Sequence, residues 1–185
     1  MKKEKRAIKW LSAGHFVNDI YTGIVNPIMP FIAAKIGITM AMATIVISIS
    51  SIFSSLLQPI FGFFADNMLK RMFIFWGLIL SSIFIPLTPL AKTTTLLIIF
   101  MILGSLGSSF YHPQASGFVN KFGTACNSCA DDMGFFISMG SLGFSFGPLI
   151  AAFVTQYLGM EKMPCLSIFG LGLAMTMFLF VPKLS

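Results

Sequence analysis

Charge is scarce in this chain. Among its 185 residues, six are Asp or Glu and twelve are Lys or Arg, so that 10% are charged. A soluble globular domain carries about 25%, and the shortfall excludes an ordinary water-facing surface. Histidine occurs only as His15 and His112, and cysteine only as Cys126, Cys129 and Cys165. Cys126 and Cys129 form a C-x-x-C, which supplies half of a tetrahedral zinc site with no histidine near it in sequence. In a reducing compartment a disulfide between them would not persist, so they are read as plain loop thiols. No low-complexity tract or linker interrupts the chain, and no loop can house a soluble catalytic domain. An intramembrane enzyme would need a metal or nucleophile cluster, and two histidines on separate helices give that little support. The expectation is therefore no enzyme, no metal and no organic cofactor.

Long uncharged sequence takes the place of charge. Spans are expected at residues 10–34, 40–65, 72–91, 94–119, 133–158 and 163–181, with Asp19 the one charge inside the first. A helix crosses ~30 Å of hydrocarbon with roughly 20 residues, so the expected fold is an all-α polytopic membrane protein, one six-helix domain over residues 1–185. The start, "MKKEKRAIKW", resembles the basic region of a signal peptide. The apolar stretch after it is too long, contains Asp19 and shows no cleavage site, so it is read as a retained first span. The net charge of +6 has a topological cause rather than a nucleic-acid partner. One side of six spans would hold Lys2, Lys3, Lys5, Arg6, Lys9, Lys70, Arg71, Lys121 and Lys183; the other would hold Lys35, Lys92 and Lys162. Nine against three predicts both termini in the cytoplasm of a cell (inner or plasma) membrane.

A faint internal repeat aligns "GHFVNDIYTGIVN", Gly14–Asn26, with "SSFYHPQASGFVN", Ser108–Asn120. Spans 1 and 4 run in opposite directions, so the repeat is inverted, as in transporters that nest 3+3 helices. His15, Asn18, Asp19, Thr22 and Asn26 form one helical stripe, and Ser105, Ser108, Ser109, His112 and Ser116 form another. Span 2 adds Ser51, Ser54, Ser55 and Gln58, and span 5 adds Ser138, Ser141 and Ser145. Spans 1, 2, 4 and 5 are therefore expected around something polar, with 3 and 6 toward lipid. A dry bundle held by interhelical hydrogen bonds accounts for the serines but poorly for an aspartate.

Asp19 lies ~14 Å along the axis from Trp10, and His112 ~12 Å from Asn120, at 1.5 Å per residue. The two can share a depth on facing helices, with His15 one turn from Asp19. Such a set can exchange a proton, or it can be a static contact that fixes packing. Pro113, with its neighbour His112, and Pro27 with Pro30 are expected to bend their helices around a cavity.

Three segments resemble the major facilitator superfamily. "GFFADNMLKR" after span 2 looks like that family's cytoplasmic loop, with Gly62, Ala65, Asp66, Lys70 and Arg71 fitting and Phe64, Asn67 and Leu69 departing. "GFSFGPLIAA" is similar to the G-x-x-x-G-P of its antiporters, placing Gly143, Gly147 and Pro148 in span 5. The His15, Phe16, Asn18, Asp19 segment and the Phe110, Tyr111, His112, Pro113 segment look like the fosmidomycin-resistance-type efflux branch.

The resemblance implies the N-terminal six-helix half of a secondary transporter, with proton-driven export of a small organic molecule or drug across the bilayer. Asp19 would carry the proton, with His112 and His15 as partners. Asn18, Tyr111, Gln58, Asn26 and Ser108 would line the cavity. Gly62, Asp66, Lys70 and Arg71 would gate, and Pro113, Gly143, Gly147 and Pro148 would bend helices. Family members have twelve helices, so a second six-helix half, as another chain or a second copy, is the expected partner. The alternative is a truncated or split product, inactive alone and acting only as a membrane subunit.

Overall fold

The computed structural model describes residues 2–67 and 71–182, and the side chains of all of these except 65–67. The Asp66 side chain and all of Lys70, both expected in the gate, lie outside the described residues. Among the described residues the chain forms six α-helices: α1 Lys2–Ile36, α2 Met40–Asn67, α3 Arg71–Leu87, α4 Thr94–Ala125, α5 Cys129–Phe153 and α6 Ser167–Phe180. A 3₁₀ turn, Thr88–Leu90, follows α3, and a π-helical turn, Val154–Leu158, with a 3₁₀ stretch, Met160–Leu166, joins α5 to α6. Local chemistry sets these boundaries. Gly37 at φ 75° ends α1, and Gly159 at φ 87° ends the π-helical turn, both in the region where a Cβ is penalised. Thr93 caps α4 by accepting the Leu96 N–H at 3.2 Å. The helices run continuously through Pro27, Pro30, Pro59, Pro86, Pro113 and Pro148.

The stretches 40–64, 71–90, 94–125, 129–158 and 160–180 are each long and apolar enough to cross a membrane. At 35 residues α1 has the length, but His15, Asn18 and Asp19 lower its hydropathy. It tolerates them because it is the central helix: Ala7, Leu11, Ile24 and Ile32 are fully buried. A lipid-facing helix could not hide them so.

Packing follows the inverted repeat. The pair α1 with α5 has its counterpart in α4 with α2, and the pair α1 with α6 in α4 with α3, although α4 rests more on α3 than on α2. Side chains obey the same exchange. Asn18 and His112 are equivalent in the alignment, and they touch, Nδ2 to Nε2, at 3.2 Å. His15 and Ser109 are also equivalent. His15 bonds the Phe136 carbonyl of α5 at 2.8 Å, and the Ser109 hydroxyl donates to the Ser54 carbonyl of α2 at 3.2 Å.

Two apolar cores stand at the ends of the bundle. One gathers Ile24, Ile28, Ile32, Leu97 and Met163; the other gathers Ile8, Leu11, Leu78, Tyr111 and Phe118. In α1 residues 15–19 lie between them and in α4 residues 104–110, and there, with His112 just beyond, the polar side chains meet. The expected lipid face needs one correction. α6 does expose Ile168, Phe169, Met175 and Leu179, but α3 is clamped between α4 and α6 with Ser81 and Ser82 buried. Ser138, Ser141 and Ser145 of α5, expected to face the polar interior, are instead exposed in this chain.

Candidate functional site

The site grows from an i, i+4 pair on α1, which places His15 one turn from Asp19 on the same face. His15 Nδ1 faces the Phe136 carbonyl at 2.8 Å. A carbonyl only accepts, so Nδ1 carries a hydrogen, and in the neutral ring Nε2 is then a bare lone pair. That lone pair faces Asp19 Oδ2 at 3.2 Å. A hydrogen bond across that contact requires a hydrogen on the imidazole or on the carboxyl.

The other oxygen, Asp19 Oδ1, faces His112 Nε2 at 3.4 Å and Asn18 Nδ2 at 3.1 Å. Asn18 is fully buried, and the Ser81 hydroxyl donates to its Oδ1 at 2.8 Å, which fixes the orientation of the amide. Its Nδ2 then has three acceptors in reach: Asp19 Oδ1, Ser108 Oγ at 3.1 Å and His112 Nε2 at 3.2 Å. Two hydrogens cannot serve three acceptors at once. When Asn18 donates to His112, that nitrogen carries no hydrogen; when His112 donates to Asp19, Asn18 serves the other two. Which of these hydrogen bonds form depends on whether His112 Nε2 carries a hydrogen.

Packing holds it in place. The His15 ring stacks on Phe136 with centroids 4.1 Å apart and meets His112 edge-on at 4.9 Å. Gly140 of α5 lies directly under this pair: a Cβ there would run into the His15 ring and Asp19 Oδ2. Next to the cluster is a cavity of about 400 Å³. Asp19, Thr22, Asn26, Gln58, Ser81, Ser108 and His112 are in its walls, with Ser50, Ser51, Ser54 and Ser55 of α2. Asp19 and His112 thus reach both the cavity and the buried network, while His15 stays behind them.

Two residues expected on the cavity wall are elsewhere. Tyr111 is fully buried and donates its hydroxyl to the Leu11 carbonyl at 2.6 Å. Asn18 is the hub behind the wall rather than part of it. The reason is angular: neighbours on a helix point about 100° apart, so with His112 and Asp19 turned to the cavity, Tyr111 and Asn18 are turned away. Gly143 and Gly147 are contact points, since a Cβ on either would overlap α1 backbone, at Phe16 and at Gly23 and Ile20. Arg71 donates to the carbonyls of Phe178 and Val181 at 2.8 and 2.9 Å, tying α3 to the end of α6. Gly62 has open space around it, its nearest neighbour being Pro113. Cys126, Cys129 and Cys165 are free thiols.

Sequence reasoning missed Ser81, Gly140 and a tie between Lys5 and α5. Lys5 Nζ donates to both Asp132 oxygens at 2.8 Å and to Ser128 at 2.5 Å. The signal for that tie was present as a basic start to α1 and an acidic first turn in α5, without anything to say which lysine pairs with which acid.

A bundle built on an inverted repeat, with an acid and two imidazoles beside a central polar cavity, is the architecture of a membrane transporter. The chain matches the Major Facilitator Superfamily over residues 11–184, and it belongs to that superfamily. It is a multi-pass membrane protein of a transporter family, not an enzyme. It is 25% identical over 144 residues to the fosmidomycin resistance protein of Escherichia coli (strain K12), covering 78% of this chain and 35% of that one. It is 24% identical over 156 residues to multidrug resistance protein 1 of Bacillus subtilis (strain 168), covering 84% and 40%. With the quinolone resistance protein NorA of Staphylococcus aureus (strain Mu50 / ATCC 700699) the figures are 22% over 134 residues, 72% and 34%. The matched part of this chain thus spans 34–40% of the length of these relatives.

Proposed function

We propose that this chain is the six-helix half of a proton-coupled exporter of small organic molecules in the cell membrane, with both termini cytoplasmic. One observation supports it above the others: Asp19 stands in the cavity wall with the imidazoles of His15 and His112 within 3.2 and 3.4 Å of its two oxygens. An ionisable group inside a membrane helix is costly unless it works, and here two imidazoles stand ready as proton partners. Asp19 is the proton carrier, and His112 and His15 are its partners. Thr22, Asn26, Gln58 and Ser108 contact substrate in a cavity within the roughly 300–1,000 Å³ range of small-molecule sites. Relatives named for resistance to fosmidomycin, multiple drugs and quinolones favour outward transport of drug-like compounds. Arg71 and Gly62, with Asp66 and Lys70, serve the cytoplasmic gate, and the energy source is the proton gradient, with no bound cofactor.

A second reading has its own observation. The Ser138, Ser141 and Ser145 stripe is exposed beside Phe144, which touches the cavity. A second six-helix unit laid on this side would cover it, making the chain a subunit active only when paired. Reconstitution tests both readings. Proteoliposomes with the chain, alone and with a second half, are assayed for fosmidomycin and quinolone flux under an imposed pH gradient. Asp19→Asn is expected to reduce flux to the protein-free background while expression and melting stay at wild-type levels. Unchanged flux in that variant refutes the assignment, and flux appearing only with the second half favours the subunit reading.

A further inference from the structure

The side chains gathered at Asp19 also have the spacing of a metal site. The geometry points to a binding site for one divalent transition ion of the zinc type, held by His15 Nε2, the Asp19 carboxylate and His112 Nε2. This rests on the same cluster as the transport reading and adds a ligand that competes with the proton.

Zinc takes imidazole and carboxylate at about 2.0–2.2 Å in a tetrahedron, which puts neighbouring ligand atoms about 3.3–3.5 Å apart. His15 Nε2 and Asp19 Oδ2 are 3.2 Å apart, which matches one such edge. His112 Nε2 lies 3.4 Å from the other oxygen, Oδ1, so that a small turn of the carboxylate or of the His112 ring brings a single oxygen into reach of both imidazoles. The ligand atoms of all three residues lie within 4.8 Å of one another. The longest edge is thus the one that must contract on binding, through rotation of the more accessible His112.

The donors are also oriented as metal ligands are. A ligating histidine almost always donates its other ring N–H to a carbonyl or carboxylate, which aims the free nitrogen at the metal. His15 does this through Nδ1 to Phe136 at 2.8 Å. Asp19 is held in turn by the Asn18 amide, itself fixed by Ser81. Three protein ligands leave the fourth position open, and Asp19 and His112 both face the cavity, so water can complete the shell from there. The charge balance is favourable as well, since one carboxylate offsets part of the +2 charge and the two rings supply lone pairs. Nitrogen and oxygen donors of this kind select zinc, cobalt and nickel over magnesium and calcium.

Cobalt(II) titration of the metal-stripped, purified full chain tests this, read by the visible absorption of the ion. Cys126, Cys129 and Cys165 are first changed to Ser, so that the thiol pair cannot contribute. One Co²⁺ per chain is expected, displaced by Zn²⁺ and not by Mg²⁺. His112→Asn and His15→Gln are each expected to weaken binding about a hundredfold, at or above the 10–100-fold that orienting partners alone give. His112 is partly exposed, so its variant remains informative where the His15 one unfolds. Absence of Co²⁺ binding, or affinity unchanged in a folded His112→Asn variant, overturns the inference. No gradient or substrate is involved. A protein that exports but binds no Co²⁺ therefore refutes the metal site alone, and one that binds Co²⁺ while Asp19→Asn still transports refutes the proton role alone.

Discussion

At Asp19 the two carboxylate oxygens have different company: Oδ2 faces His15 only, and Oδ1 faces His112 and Asn18. A carboxylate served unequally on its two sides can pass a proton from one partner to another without moving far. Tyr111 makes the contrast beside it. Its hydroxyl is spent on the Leu11 carbonyl in a dry core, so Tyr111→Phe is expected to cost about 0.5–1.5 kcal/mol of stability, the net worth of one hydrogen bond. Thermal unfolding in detergent reads that loss, while KM for any transported substrate stays unchanged. A raised KM with unaltered melting would put the hydroxyl in the substrate path after all. The sequence stripes located Asp19, His15 and His112 because helical spacing is local. Tyr111 and Asn18 went wrong because a motif names neighbours together, although the helix turns them to different faces. Ser81 was invisible because only the packing of α3 on α4 brings it to Asn18.

At the scale of elements, the contact between α1 and α5 carries the site. His15 is pinned on Phe136, Gly140 makes room beneath it, and Gly143 and Gly147 let the two backbones touch. Close approach of this kind relies on small residues because lipid supplies no hydrophobic drive between helices. Gly143→Val forces a side chain against Phe16 backbone, which cannot yield as a flexible side chain does. The expected cost is at least about 1–3 kcal/mol, seen as a lower melting temperature of the purified protein. Gly134→Ala, where nothing lies within 4 Å of the added atom, is the matched control and is expected to melt no lower than wild type, since Ala favours a helix over Gly. Equal melting of Gly143→Val and wild type would mean that α1 and α5 are not packed as described. The G-x-x-x-G-P motif located two of these glycines. Gly140 carries no motif of its own, and its role depends on a ring contributed by another helix.

Across the whole molecule, two apolar cores hold the ends of the bundle and leave a polar belt between them. The number of helices, their order and the inverted repeat were legible in the sequence, since uncharged length and span direction are properties of the chain itself. The burial of α3 was not, because its serines are too sparse to form a stripe and its neighbours are chosen by packing. The polar belt is where the chain departs from what a bilayer tolerates, and Asp19 is its one acid. The central claim is that this carboxyl takes up and releases a proton. Infrared difference spectroscopy of the purified chain, taken between low and high pH, measures it directly. A protonated-carboxyl band that is present at low pH, lost at high pH and missing from Asp19→Asn is the predicted result. A band that persists unchanged in Asp19→Asn, or a wild-type spectrum with no titrating carboxyl band, would contradict it.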